Sequence, residues 1–341
     1  MGTIKATCIA AAAVLLLVSA TASSNDTSPI PGDPSSLKPW FRANVKPYRH
    51  RKGTLDPALE AAEAKPRTIK VRQDGSGDYR TLADAVESIP MGNTQRVIVD
   101  IAAGVYIEKI KIEKDKPFIT FKGSASNMPT LTFAGTARVY GTVYSATLQV
   151  YSAYFVASNI IIKNSAPRPG GRLKEEQAVA LRIGGDKAAF YNCRLIGFQD
   201  TLCDDMGRHF FKNCYIEGTV DFIFGSGKSL YLATKINVLA DQGLAVITAQ
   251  ARHKEDDTGF SFVHCKMSSV VDPAGWSDNL HPERDRTVSF GEYKCKGPGS
   301  NPSGRVKFSK QLTPQQVKPL ISLAYIEGST WLLPPPKYIG S

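Results

Sequence analysis

The feature that most constrains this chain is a repeat. Phe190-Tyr191-Asn192-Cys193-Arg194-Leu195 returns 21 residues later as Phe211-Lys212-Asn213-Cys214-Tyr215-Ile216. Weaker copies stand at Phe155-Val156-Ala157-Ser158-Asn159-Ile160 and Phe262-Val263-His264-Cys265. Short apolar runs such as Val97–Ile101, Phe118–Phe121, Leu148–Val150 and Ile160–Ile162 alternate with Gly, Asn, Asp and Ser clusters. Such punctuation fits a sandwich, a barrel or a solenoid. A period of about 20 residues with one short strand per side selects the solenoid, one repeat being one turn of a parallel β-helix. Equivalent residues then stack about 4.8 Å apart on adjacent coils. The repeated Phe and Cys should form internal ladders. Chance similarity between strands is the competing explanation, and the aligned Phe-x-Asn-Cys argues against it.

The ends of the chain read differently. Residues 1–22 have the form of a signal peptide: Lys5 in the first part, an apolar run from Ile9 to Val18, then small residues Ser19 to Ala22. The run is too short and Ala-rich for a membrane span, and no other stretch reaches 18 apolar residues. Residues 23–67 read as a leader in which Pro29, Pro31, Pro34 and Pro39 break regular elements, save one short helix near Pro57 to Ala64. Asn25-Asp26-Thr27 is a glycosylation sequon. The domain spans 68–341. It opens with the strand Thr68–Val71 and an amphipathic helix over Thr81–Ile89; a second helix is expected over Thr313–Leu323.

Export implies an oxidising compartment. Cys8 leaves with the signal peptide, and the five cysteines that remain, an odd number without a Cys-x-x-Cys spacing, point to buried apolar residues rather than a zinc site. The formal charge of +11 favours a polyanion. No nucleic-acid-binding signature is present, and an acidic polysaccharide fits the compartment better.

Polar residues placed on the 21-residue lattice form one column. Gln177 precedes Gln199-Asp200, and Asp221 follows one coil later, among Phe198, Phe222 and Phe224. Two aspartates one strand spacing apart cannot both ionise cheaply. One is pushed toward the acid and the other stays a carboxylate, the arrangement that acid–nucleophile chemistry needs. Gln177 and Gln199 offer N–H donors for an oxyanion. The alternative is that both aspartates only bind turn amides.

At these residues the chain resembles the plant pectin methylesterases. The matching blocks are Gly104–Glu108, Gln177–Arg182, Gln199–Leu202 and Asp221–Gly225. Asp74–Tyr79, Pro273–Trp276 and Gly291–Tyr293 also match, so that the resemblance covers about 68–333. It implies a right-handed single-stranded parallel β-helix of the pectin-lyase-like kind, removing methyl esters from cell-wall homogalacturonan. It also implies Asp221 as nucleophile, Asp200 as acid and base, and Gln177 and Gln199 at the oxyanion. Substrate contacts would come from Thr142, Gln177, Phe198 and Phe222. No metal or organic cofactor is implied. The resemblance further suggests a secreted cell-wall monomer of the short type without a pro-domain, with pectin as partner and a proteinaceous inhibitor as a second one, and with neither nucleic acid nor membrane.

Two positions depart from that pattern. Cys203 stands where many members have Tyr. The segment Leu-Gly-Arg-x-Trp, whose Arg pairs with the nucleophile in the family, is absent: Phe262–Lys266 runs directly into Met267–Trp276, as if one coil had been removed. Arg252 and Arg286 are candidate replacements. Without the Arg the pKa of Asp221 should rise, leaving a pectin-binding β-helix of impaired catalysis as the alternative function. A polygalacturonase would need a Gly-His-Gly element, and a lyase a calcium-binding acidic cluster. Asp204-Asp205 is suggestive of the former, but no His is flanked by two Gly. His209 and His281 lack a Gly-x-Ser-x-Gly elbow. Glu108 reads as a structural or groove residue.

Overall fold

The computed structural model describes residues 27–170, 175–239, 247–250, 259–277, 282–285, 287, 289–307, 309–311, 314–317 and 320–336. The segment 1–22, the sequon at Asn25 and both Arg252 and Arg286 lie outside them. Among the described residues every strand pairing in the ladders is parallel, and the strands form three sheets. Sheet A has ten strands, from Arg67–Val71 to Lys310–Gln311. Sheets B and C have seven each, from Val105–Ile107 to Lys266–Met267 and from Ile110–Ile112 to Trp276–Ser277. Successive strands visit A, B and C in turn, which makes a right-handed parallel β-helix.

The Phe-x-Asn-Cys repeat has a separate reason at each position. Its Phe points inward from sheet A. Phe190, Phe211, Tyr231 and Phe262 stack with ring centres 4.7, 4.7 and 4.8 Å apart, and Trp276 continues the ladder 5.3 Å from Phe262. The Asn turns the corner from A to B. Asn159, Asn192 and Asn213 have φ of 57°, 51° and 55°, a left-handed conformation that Asn tolerates better than most residues. Asn192 Nδ2 donates to Asn159 Oδ1 at 2.8 Å, tying one corner to the next. The Cys is a small apolar filler: Cys193, Cys214 and Cys265 are buried free thiols, and Cys295 is half-buried.

The leader is more ordered than its prolines suggest. Helix α1 (Leu37–Asn44) forms despite Pro39, because proline in a first helical turn removes no intrahelical bond. Leu37, Trp40, Phe41 and Val45 are buried against the outer face of sheet A, with Phe41 stacked parallel to Phe210 at 6.0 Å. Helix α2 (Pro57–Glu63) falls where expected. Helix α3 (Leu82–Glu87) is capped by Thr81, whose Oγ1 accepts from Asp84 N. Glu108 also caps α3: its carboxylate accepts from Leu82 N and Ala83 N at 3.0 and 2.8 Å, a structural role. Of the helix expected over 313–323 the described residues hold Pro314–Val317, and a 3-10 turn at Leu323–Ile326 packs with Trp331 in the apolar cluster on the outer face of sheet A.

Past Lys266–Met267 the chain returns through residues 268–275 directly to sheet C, where Thr248 pairs with Trp276. The chain thus passes from sheet B to sheet C at the place where the resemblance leads one to expect the Leu-Gly-Arg-x-Trp segment. Trp276 is fully buried there, and its Nε1 donates to Glu292 Oε1 and Ser309 Oγ at 3.1 and 3.0 Å.

Candidate active site

The ladder on sheet C sets the geometry of the polar column. Leu181 pairs with Leu202, and Leu202 with Ile223. Asp200 and Asp221 each lie two residues before those partners, so they occupy the same place on adjacent coils. Gln177 lies four residues before Leu181, one place off the register of Gln199. The coils stay joined: Ala137 N donates to Gln177 O at 2.8 Å, Ala178 N to Gln199 O at 3.2 Å and Asp200 N to Val220 O at 3.3 Å. The structure thus brings Gln177, Gln199, Asp200 and Asp221 to one edge, the corner between sheets B and C.

Asp200 and Asp221 turn that corner with φ of 65° and 47°. Left-handed backbone at a residue other than glycine costs on the order of 1–2 kcal/mol. Asp200 is held in it by its neighbour Thr201, fully buried, whose hydroxyl donates to Glu217 O at 2.8 Å.

Burial sets the proton affinities. It pushes Asp200 up to about 8, with the Asp221 charge adding to the effect. Burial alone pushes Asp221 up to about 6. Between those values the pair holds one proton, on Asp200. Asp221 Oδ1 and Gln177 Oε1 are buried without a hydrogen-bond partner among the described residues. Buried polar atoms are almost always satisfied, and these two orphans stand on the same column. No cation among the described residues bonds Asp221.

The proposed substrate contacts divide. Thr142 is half-buried and begins the 3-10 turn Val143–Ser145, on the segment whose Ala137 bonds Gln177. Phe198 is half-buried beside Asp200, 5.9 Å from the Arg168 guanidinium. Phe222 does not reach the groove. It is fully buried in the main core, because the inward turn after Asp221 packs it against Gly218. Phe224 carries the aromatic surface instead, packed on Ala146, Val179 and Cys203.

Three further features support the column without having been legible. Asn164, buried, donates through Nδ2 to Gly135 O, Ser145 O and Val179 O, clamping the loops beside Gln177; nothing in its sequence context signals this. Arg182 lies between the rings of Tyr144 and Tyr151 at 5.0 and 5.1 Å and bonds Asp205 Oδ2 at 2.7 Å, beside Cys203. Asp204, next to Asp205, points the other way. Inside the solenoid it bonds His209 Nδ1 at 2.5 Å and accepts from Tyr231 OH at 2.6 Å. Ser229 Oγ lies 3.4 Å from that same Nδ1. A hydrolytic triad uses opposite ring nitrogens, so this cluster is a structural lock.

A solenoid of three parallel sheets with a stacked carboxylate pair on one outer corner places the chain in the parallel β-helix class, and comparison with known proteins narrows it. The Pectinesterase family model matches residues 68–269. "Probable pectinesterase 50" of Arabidopsis thaliana is 51% identical over 342 residues, covering 92% of this chain and 94% of that one. Pectinesterase 1 of Olea europaea is 49% identical, covering 96% and 98%. Among solved structures, the pectin methylesterase from carrot superposes with a TM-score of 0.66 at 30% identity, over 79% of this chain and 95% of that one. The enzyme from Aspergillus niger gives 0.64 at 25%, over 77% and 95%. The chain belongs to the pectinesterase family, a family of carboxylic ester hydrolases.

Proposed function

We propose that this protein hydrolyses methyl esters of pectin through Asp221 and Asp200, with slowed turnover on the acid side. The observation that carries the reading is the stacked pair, with different proton affinities and an unsatisfied buried oxygen on Asp221. Ionised Asp221 attacks the ester carbonyl carbon. As the bond to the methoxy oxygen breaks, Asp200 gives its proton to that oxygen and methanol leaves. Water then adds to the acyl-enzyme, Asp200 takes its proton, and Asp221 is released with the galacturonate acid. Gln177 and Gln199 hold the oxyanion in both steps.

The absent Arg favours a second reading. With no cation bonded to Asp221 among the described residues, burial leaves it protonated below about pH 6, and protonated carboxyl is a poor nucleophile. In an acidic wall the chain would then bind pectin more than it turns it over. Methanol release from methylated pectin, measured from pH 5 to pH 9 beside binding of the same polymer, separates the two. Full turnover at pH 5 would overturn the consequence drawn from the absent Arg. Undiminished release by Asp221→Asn would overturn the mechanism. The inferred workplace is the cell wall; the leading apolar run and the pectinesterase relatives support it, and no helix among the described residues is long and apolar enough to cross a membrane.

A further inference from the structure

Away from the aspartate corner, the outer face of sheet A carries a pocket of about 650 Å³. Its floor is the sheet, at Ile98, Val156 and Ala189; α1 and the turn Tyr48–His50 form one wall, and the stretch 331–336 the other. Six cations line it. Lys187 and Arg96 are neutralised by Asp56 and Glu63 at 2.6 and 2.7 Å. Lys38, Arg42, Arg49 and Lys212 have no carboxylate against them among the described residues. Lys38, Arg42 and Arg49 stand exposed along one rim, whereas Lys212 is half-buried, its ammonium 4.8 Å from the Phe41 ring centre. Burial draws the proton affinity of Lys212 down, as expected for a cation taken from water without an anion in exchange.

The pocket sets several cations without carboxylate partners among the described residues beside apolar side chains. A compact anion would satisfy one cation and leave the rest. A linear polyuronate offers a carboxylate on each sugar and an apolar C–H face for Tyr48, the half-buried ring of the rim. We propose that the pocket binds a segment of de-esterified galacturonan. A methyl ester removes the charge these cations answer to, so the site would distinguish processed from unprocessed pectin. It would hold the protein on stretches already de-esterified. The proposal deepens the reading of the protein as a pectin methylesterase and rests on it for the identity of the polymer.

The test is calorimetric titration of the full chain, carrying Asp221→Asn to prevent turnover, with a galacturonic acid decamer and with its fully methyl-esterified form. Adding Lys38→Ser and Arg42→Ser on the exposed rim should weaken binding of the acid decamer at least tenfold and leave the esterified decamer unchanged. Lys212→Met should do the same; the rim variant keeps the test open if Lys212→Met melts early. Unchanged affinity for the acid decamer overturns the proposal, as does equal pocket-dependent binding of poly-L-glutamate, which would mean a generic anion surface. Methanol release by the rim variant with Asp221 intact separates the two readings. Release with pocket-independent binding sinks the pocket alone; pocket-dependent binding with no release sinks the esterase reading alone.

Discussion

Asp200 keeps its proton to about pH 8 because it is buried and because Asp221 stands one coil away. Asp221 gives its proton up near pH 6. If the two act as acid and nucleophile, methanol release follows a bell with limbs near those values, and Asp221→Asn lowers it on the order of 10³-fold or more. The same shift has a stability consequence. Folding raises the pKa of Asp200 above its unfolded value, so the folded chain binds that proton more tightly. This contribution is complete below about pH 4 and is lost as pH rises to 8. Asp200→Asn, which cannot ionise, should match wild type at pH 4 and exceed it at pH 8 by on the order of a few kcal/mol, read from urea midpoints. The aspartates were legible because their spacing equals the repeat. Phe222 was misassigned because sequence spacing does not say which way a side chain leaves a tight corner.

At the scale of the element, each coil is held by its corner residue and its ring. Asn192 combines left-handed backbone with a bond to Asn159. Asn192→Ala should cost about 2 kcal/mol, roughly half from backbone and half from the lost bond; Asn192→Gly should recover the backbone half, as chemical denaturation would show. Phe211, stacked between Phe190 and Tyr231, has no room to be replaced. Phe211→Ala should cost about 3–5 kcal/mol. These elements were readable because a repeated Phe-x-Asn-Cys serves one purpose on every coil. Helix α1 was hidden, because Pro29, Pro31, Pro34 and Pro39 outweigh its short apolar pattern until sheet A is there to receive Trp40 and Phe41.

For the whole molecule, the closure at Trp276 matters most. Coils of a solenoid contact mainly their neighbours, and Trp276 pairs directly with Thr248. Fold survival and catalytic fitness then separate. Inserting a coil with Leu-Gly-Arg-x-Trp between Lys266 and Met267 should bring a guanidinium to Asp221, lower the acid limb of the methanol-release profile by about one pH unit or more and leave the melting transition cooperative. An unchanged acid limb would show that Asp221 is tuned from elsewhere.

The sequence by itself determined the architecture and the stacking of Asp200 and Asp221 on adjacent coils, because a solenoid maps position in the chain onto position in space through a single period. The resemblance to the family, not the period, exposed the segment that is missing, since removing a whole coil leaves the repeat in register. Only the tertiary structure decided how buried the pair is, that Phe224 and not Phe222 faces outward, and that the leader folds onto sheet A to make a cationic pocket. Those properties depend on contacts between segments far apart in the chain, such as Lys212 with Phe41 and Tyr191 OH with Leu333 O. No local pattern of residues encodes such a contact, because its energy exists only once both surfaces are formed.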